Sequence, residues 1–187
     1  MKRIGNIYSK ICDKNNILKA INKASLRKKD RANVKKIIDN PVFYTEYLYK
    51  MLKDKKYKPN PYTEVKIQDG VRKKERIIYK PQFFPDQVIH WALMLQLEPI
   101  LLRGMYYYCC GSVKNRGIHH GAKYIKKILV RDRKNTKYCL KLDVKKFYPS
   151  INKEILKHKF LKIIKCRDTL DLIDLIIDSS KEGVPIR

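Results

Sequence analysis

No run in the 187 residues comes near the roughly 18 consecutive apolar side chains that a membrane span requires. The opening stretch Met1-Lys2-Arg3-Ile4-Gly5-Asn6 also lacks the continuous apolar segment of a secretory signal, so a cytoplasmic protein with no membrane partner is expected. The five cysteines (Cys12, Cys109, Cys110, Cys139 and Cys166) are odd in number and contain no Cys-x-x-Cys spacing. That pattern argues against a disulfide framework and against a ribbon-type zinc site, and leaves reduced thiols as the simple reading. Repeats, low-complexity tracts and Gly/Ser linkers are missing too, which implies one compact unit. Acidic side chains are heavily outnumbered: 18 Asp and Glu face 44 Lys and Arg, leaving a formal charge of +26. A charge of that size makes a field of several kT, and the partners that answer it are polyanions, nucleic acid ahead of an anionic membrane surface. The excess is uneven, with 33 basic and 11 acidic groups up to Leu140 and 11 and 7 beyond it.

Apolar and aromatic material is plentiful. Hydrophobic residues make up 44% of the chain, and 13 Tyr and 5 Phe exclude wholesale disorder. Up to about residue 55 the pattern is helical: Ile4, Ile7 and Ile11, then Ile17, Leu18 and Ile21, recur at helical spacing. Asn40-Pro41 marks a new helix start, and Phe43, Tyr44, Tyr47, Leu48, Met51 and Leu52 form a stripe expected to be core. Val65 and Ile67, a turn at Gln68-Asp69-Gly70, and Arg76-Ile77-Ile78-Tyr79 before Pro81 predict a β-hairpin. Pro85-Asp86-Gln87 opens a helix to about Leu102, with Trp91 in its core and His90 bonded to a backbone or carboxyl group. After a Tyr-rich loop, residues 117–133 predict a second helix with Lys123, Lys126, Lys127, Arg131 and Arg133 outward. The fold class is α+β, helices packed on small antiparallel sheets.

Residues 137–151 are the most informative. Tyr138, Leu140 and Leu142 alternate with Cys139, Lys141 and Asp143, which predicts a strand with Asp143 at its end, on the face opposite the leucines. A carboxylate on a rigid element, with an adjacent carbonyl as second ligand, suits a hard divalent cation; the plainer role for such an Asp is to cap the element that follows.

The stretch Leu142-Asp143-Val144-Lys145-Lys146-Phe147-Tyr148-Pro149-Ser150-Ile151 resembles motif A of bacterial reverse transcriptases. Lys74-Glu75-Arg76-Ile77-Ile78-Tyr79-Lys80-Pro81 with Asp86-Gln87-Val88-Ile89-His90-Trp91-Ala92-Leu93 is similar to their first fingers motif. Gly111-Ser112-Val113-Lys114-Asn115-Arg116-Gly117-Ile118-His119-His120-Gly121-Ala122 resembles the second, and Glu182-Gly183-Val184-Pro185-Ile186-Arg187 the opening of motif B. The four stand in family order across residues 57–187, in the manner of group II intron, retron and diversity-generating retroelement enzymes and of bacterial phage-defence relatives.

The resemblance implies a right-hand polymerase, bacterial or phage-encoded: a basic helical N-terminal extension over residues 1–56, fingers over 57–136 and a partial palm over 137–187. It implies RNA-directed DNA synthesis on an RNA template paired with a primer or cDNA strand, dNTP as substrate and two Mg²⁺ ions. Asp143 would be the catalytic, first metal-binding aspartate and the Val144 carbonyl a further ligand. Tyr148, with Phe147 beside it, would pack under the nucleotide sugar and exclude a 2′-hydroxyl. Arg76 would contact the triphosphate, with Lys66, Lys73 or Lys74 as a second charge. Ser112, Lys114, Asn115, Arg116 and Gly117 would lie along the template strand, near the basic helix that carries Lys123, and His119 and His120 close to RNA.

The family's aromatic-x-Asp-Asp hairpin, which completes the metal site, does not occur in this sequence, and the match ends inside motif B before any thumb. The 187 residues alone are therefore expected to be inactive, with exposed palm strand edges prone to self-association. Two other readings stand beside the polymerase: a non-catalytic RNA-binding module or retroelement remnant, and a basic scaffold of ribosomal type.

Overall fold

The computed structural model describes residues 2–69, 74–181, 183 and 184, without the side chains of Asp69, Lys74 and Arg76. Among the described residues the chain is mostly helical, eight α-helices with one two-stranded antiparallel sheet. In order these are α1 (Tyr8–Cys12), α2 (Lys14–Ser25), α3 (Ala32–Ile38), α4 (Pro41–Lys53), β1 (Thr63–Asp69), β2 (Lys74–Lys80), α5 (Val88–Leu102), α6 (Ile118–Arg131), α7 (Lys153–Ile163) and α8 (Arg167–Asp178). No described helix is long and apolar enough to cross a membrane. Where the sequence reads as one unit, packing separates two: Met1–Leu97 with Lys146–Arg187, and Glu98–Lys145.

The first unit holds the core. Of the residues expected at helical spacing, Ile7, Ile11, Ile17 and Ile21 are buried, joined by Val34, Leu48, Leu52, Val88, Ile89, Leu97, Ile164, Leu172 and Ile173, whereas Ile4 lies ahead of α1 and Leu18 is exposed. Asp13 starts α2 by accepting the Asn16 amide at 3.0 Å, and Pro41 starts α4, where its missing N–H has no helical partner to lose. Buried Asn16 then clamps α2 to α5. Its Nδ2 donates to the carbonyls of Ile11 (3.1 Å) and Ala92 (3.0 Å), and its Oδ1 accepts from Gln96 at 2.6 Å. Chain ends far apart in sequence meet as well: Ile4 pairs in parallel with the α7–α8 connection, its N–H donating to Ile163 O (2.8 Å) and its carbonyl accepting from Lys165 (2.7 Å).

The α4 stripe is core over only part of its length. Leu48 and Leu52 are buried, whereas Phe43 and Tyr47 are exposed; Tyr44 leans edge-on against Phe84 at 5.0 Å. Trp91, expected in the core, is half-buried.

Burial of Cys12 pushes its thiol from the ordinary 9.0 up to about 11, and the same burial raises the Tyr8 phenol. The unfolded chain then loses the thiol proton about two units before the folded one does. This contribution to stability is intact below about pH 9 and is lost as pH rises to about 11. We expect urea midpoints to fall less steeply across that window in Cys12→Ala than in the parent; parallel slopes would contradict the assignment.

The second unit is built differently. Its long element, α6, has apolar and basic faces, yet Ile118, Ile125, Leu129 and Val130 are exposed, and no side chain from residue 98 to 145 is buried. The strand predicted over 137–143 is not formed. Residues 138–144 find no ladder partner among the described residues, and Tyr138, Leu140 and Leu142 stand exposed. Alternation supplies a strand with two faces, but only a neighbour supplies its hydrogen bonds.

Candidate nucleic-acid interface

In the first unit the predicted hairpin forms. β1 and β2 pair from Thr63 opposite Lys80 to Asp69 opposite Lys74, with Arg76 opposite Ile67. The connecting residues, Lys73 included, lie outside the described residues, as do the side chains of Lys74 and Arg76. Lys66 spends its charge locally, 3.2 Å from Glu75 in an exposed pair.

The chain leaves β2 through Pro81 into a tight turn, Phe83–Gln87, that leads into α5. Here Asp86, only 1% exposed, accepts from the Tyr57 hydroxyl (2.9 Å) and the Asn60 amide (3.3 Å) on Oδ1, and from Asn60 Nδ2 (3.0 Å) on Oδ2. Burial, then the charge of Asp86, pushes the Tyr57 phenol strongly upward, so it is a permanent donor. Gln87 Nε2 ties back to Pro81 O at 2.8 Å. Tyr62, Tyr79, Pro81 and His90 line a pocket of about 180 Å³ together with Ile176, Ile177 and Val184.

The same unit contains the turn ahead of α7, where Lys146 takes φ +51°. Phe147 and Tyr148 are half-exposed and meet edge-on at 5.3 Å. The Tyr148 carbonyl accepts from Val184 N at 3.1 Å. Gly183, at φ +45°, lies so close that a Cβ there would overlap Tyr148 O and come within 2.7 Å of Pro149 O. Ser180 Oγ holds the Gly183 carbonyl at 2.7 Å, and Lys153 Nζ donates to the Ser180 carbonyl. Asn152 caps α7 by accepting from Ile155 N at 3.0 Å.

The second unit carries the predicted template residues. Ser112 and Asn115 both take left-handed backbone, φ +55° and +64°, in the loop ahead of α6, and Ser112, Lys114, Asn115 and Gly117 are exposed. Gly117 is the residue before α6, and Lys123 is exposed on that helix. Arg116 packs on the tyrosines instead: its guanidinium lies 5.1 Å above the Tyr107 ring and donates to Tyr106 O at 3.4 Å. Around it is a cluster that the sequence announced only as a Tyr-rich loop. Tyr108 stacks on Tyr124 with centroids 3.3 Å apart, and Tyr106 and Tyr107 pack edge-on against Tyr108 at 5.5 and 5.0 Å. His120 meets Tyr107 at 5.0 Å, and its Nε2 is shut from solvent without a hydrogen-bond partner among the described residues. A hydrogen bond with Tyr106 pushes the Tyr124 phenol upward.

Asp143 and Val144 also belong to this unit, exposed in the unpaired segment. The expectation that Asp143 ends a strand is corrected. Among the described residues no three His, Cys, Asp or Glu side chains gather to hold a metal ion, so the donor set present here does not fit a two-metal site. Three of the four α8 aspartates are engaged elsewhere: Asp168 with Lys55 (2.6 Å), Asp171 with Arg167 (2.9 Å) and Asp178 with Lys157 (2.8 Å).

No protein-family model matches the chain, and comparison with curated proteins finds no match.

Proposed function

We propose that this chain is the template-handling front part of an RNA-directed DNA polymerase, fingers and the beginning of the palm. The observation that carries the reading is a convergence within the first unit. Parts of three of the four segments that resemble reverse-transcriptase motifs come together there, motif A only from Lys146 on: Tyr79, Pro81 and His90 share a pocket with Val184, and Val184 N donates to Tyr148 O. Tyr148 stands 36 residues from Val184, and Tyr79 and His90 about a hundred, so none of these contacts is local. A shared nucleotide site gives these segments a reason to meet. The charge of +26 supports a polyanionic partner of the same kind.

In this reading Arg76 and Lys74 bind the triphosphate, Tyr148 and Phe147 pack on the sugar, and the exposed donors Ser112, Lys114, Asn115, Gly117 and Lys123 bind the template backbone. Asp143 is the residue at the position of the family's first metal-binding aspartate, and no catalytic step is assigned to it here. A second reading rests on the charge of +26 alone: a module that binds RNA without copying it.

Fluorescence anisotropy separates the two. An RNA template annealed to a DNA primer is expected to bind more tightly than blunt duplex DNA of equal phosphate number, with log K falling linearly in log salt. The complementary dNTP is expected to slow dissociation of that template–primer, and Arg76→Ala to abolish the slowing. Indifference to dNTP would leave the binding module standing, and affinity set by phosphate number alone would defeat both.

A further inference from the structure

We infer that the tyrosine cluster of the second unit is a stacking platform for the bases of single-stranded RNA, with Tyr106 and Tyr107 as the contact rings. The inference deepens the template-binding reading and shares its ligand class. It names residues that neither the motif resemblance nor the backbone donors of the loop pick out.

Tyr106 and Tyr107 are 68% and 58% exposed, though an aromatic ring ordinarily contributes by burying 150–250 Å². Nothing in their own unit asks for them as core, because no side chain from 98 to 145 is buried. They are nevertheless fixed. Behind them the Tyr108–Tyr124 stack forms a rigid backing, His120 holds the Tyr107 edge at 5.0 Å, and Arg116 ties the Tyr106 carbonyl to the Tyr107 face. Gly121 allows the approach of α6 to the loop: a Cβ there would sit 3.2 Å from Cys110 Sγ, which itself bonds Tyr108 O at 3.3 Å. Rings presented rigidly to solvent lose little conformational freedom when a flat ligand lands on them.

The surroundings state the ligand's charge. Residues 98–145 carry 12 basic and 3 acidic side chains, and Lys114, Lys123, Lys126 and Lys127 are exposed in the loop and on α6. Aromatic rings interleaved with cations match a strand whose bases are free to stack while its phosphates follow the lysines. A duplex offers phosphates but keeps its bases inside. Arg116 completes the fit, since a guanidinium plane above a ring is itself a surface on which a base can lie.

The test uses the whole chain and two labelled oligonucleotides of equal length and charge, oligo(rA) and an abasic ribose-phosphate strand. The parent is expected to bind oligo(rA) more tightly. The double variant Tyr106→Ala/Tyr107→Ala is expected to lose about tenfold for each base that stacks, some 10- to 100-fold in all. Its affinity for the abasic strand and its salt slope should stay as in the parent, and Tyr106→Phe/Tyr107→Phe should retain the preference for bases. Equal loss on both strands would mean that the loop had merely collapsed, and an unchanged preference in the Ala variant would mean that the bases lie elsewhere; either overturns the platform while leaving RNA binding intact. Failure of the parent to bind either strand would remove the platform and the template reading together.

Discussion

Asp86→Ala is expected to lower the unfolding free energy by about 3–5 kcal/mol, the cost typical of removing one member of a buried polar network. The size follows from what the truncation orphans. The Tyr57 hydroxyl is buried with its residue 5% exposed, and the Asn60 amide and Nδ2 point at the same carboxyl group. The Tyr57 hydroxyl is enclosed and gains no water when the acceptor disappears, the half-buried Asn60 loses both of its bonds to the carboxyl group, and a cavity is left as well. Asp86→Asn gives the contrast. Its carbonyl oxygen still accepts from Tyr57 and Asn60 N, and a flipped Asn60 amide can accept from the new NH₂, so a loss of only about 1 kcal/mol is expected. Urea unfolding of the two variants decides the matter. Equal losses would show that the charge matters and the hydrogen-bond geometry does not; no loss in Asp86→Ala would show that the network is idle.

Gly183→Ala is expected to cost about 2–3 kcal/mol, from backbone strain and overpacking together. At φ +45° any Cβ meets the local chain, and here it also meets the carbonyls of Tyr148 and Pro149, which are backbone and cannot swing aside. Relief requires breaking the 3.1 Å bond from Val184 N to Tyr148 O or the 2.7 Å bond from Ser180. Either path moves the turn that holds Phe147 and Tyr148. A drop in urea midpoint together with weaker dNTP-dependent retention of template–primer is the expected pair of results. A midpoint equal to that of the parent would mean that Gly183 is not held in this contact.

Local signals explain which parts of the fold were legible. The isoleucine spacing, Asn40-Pro41 and the alternation around Val65 and Arg76 each name an element that its own residues stabilise, and each formed. Residues 137–143 carry an equally clear alternation, but a strand is a property of two segments, and no partner stands beside this one among the described residues. Phe43 and Tyr47 failed as core for a related reason: helical spacing says which residues share a face, not whether that face is covered. α7 was missed because its cap, Asn152, precedes a run dense in lysine whose apolar face is thin. In the candidate interface the motif residues were legible by order and spacing. The Asp86 network and the tyrosine cluster were not, because both depend on rings and carboxyl groups brought together by turns, and Gly183 betrays its role only through the carbonyl it touches.

The absence of any enclosed side chain from 98 to 145 bears on how such a surface grips. A segment without its own interior contributes little to the heat-capacity increment of melting; its order rests on ring-on-ring contacts at the surface, where a ligand adds to them instead of displacing a core. For a chain proposed to hold a template that has to advance one nucleotide at a time, a grip that is renewed at each step serves better than one that is merely tight.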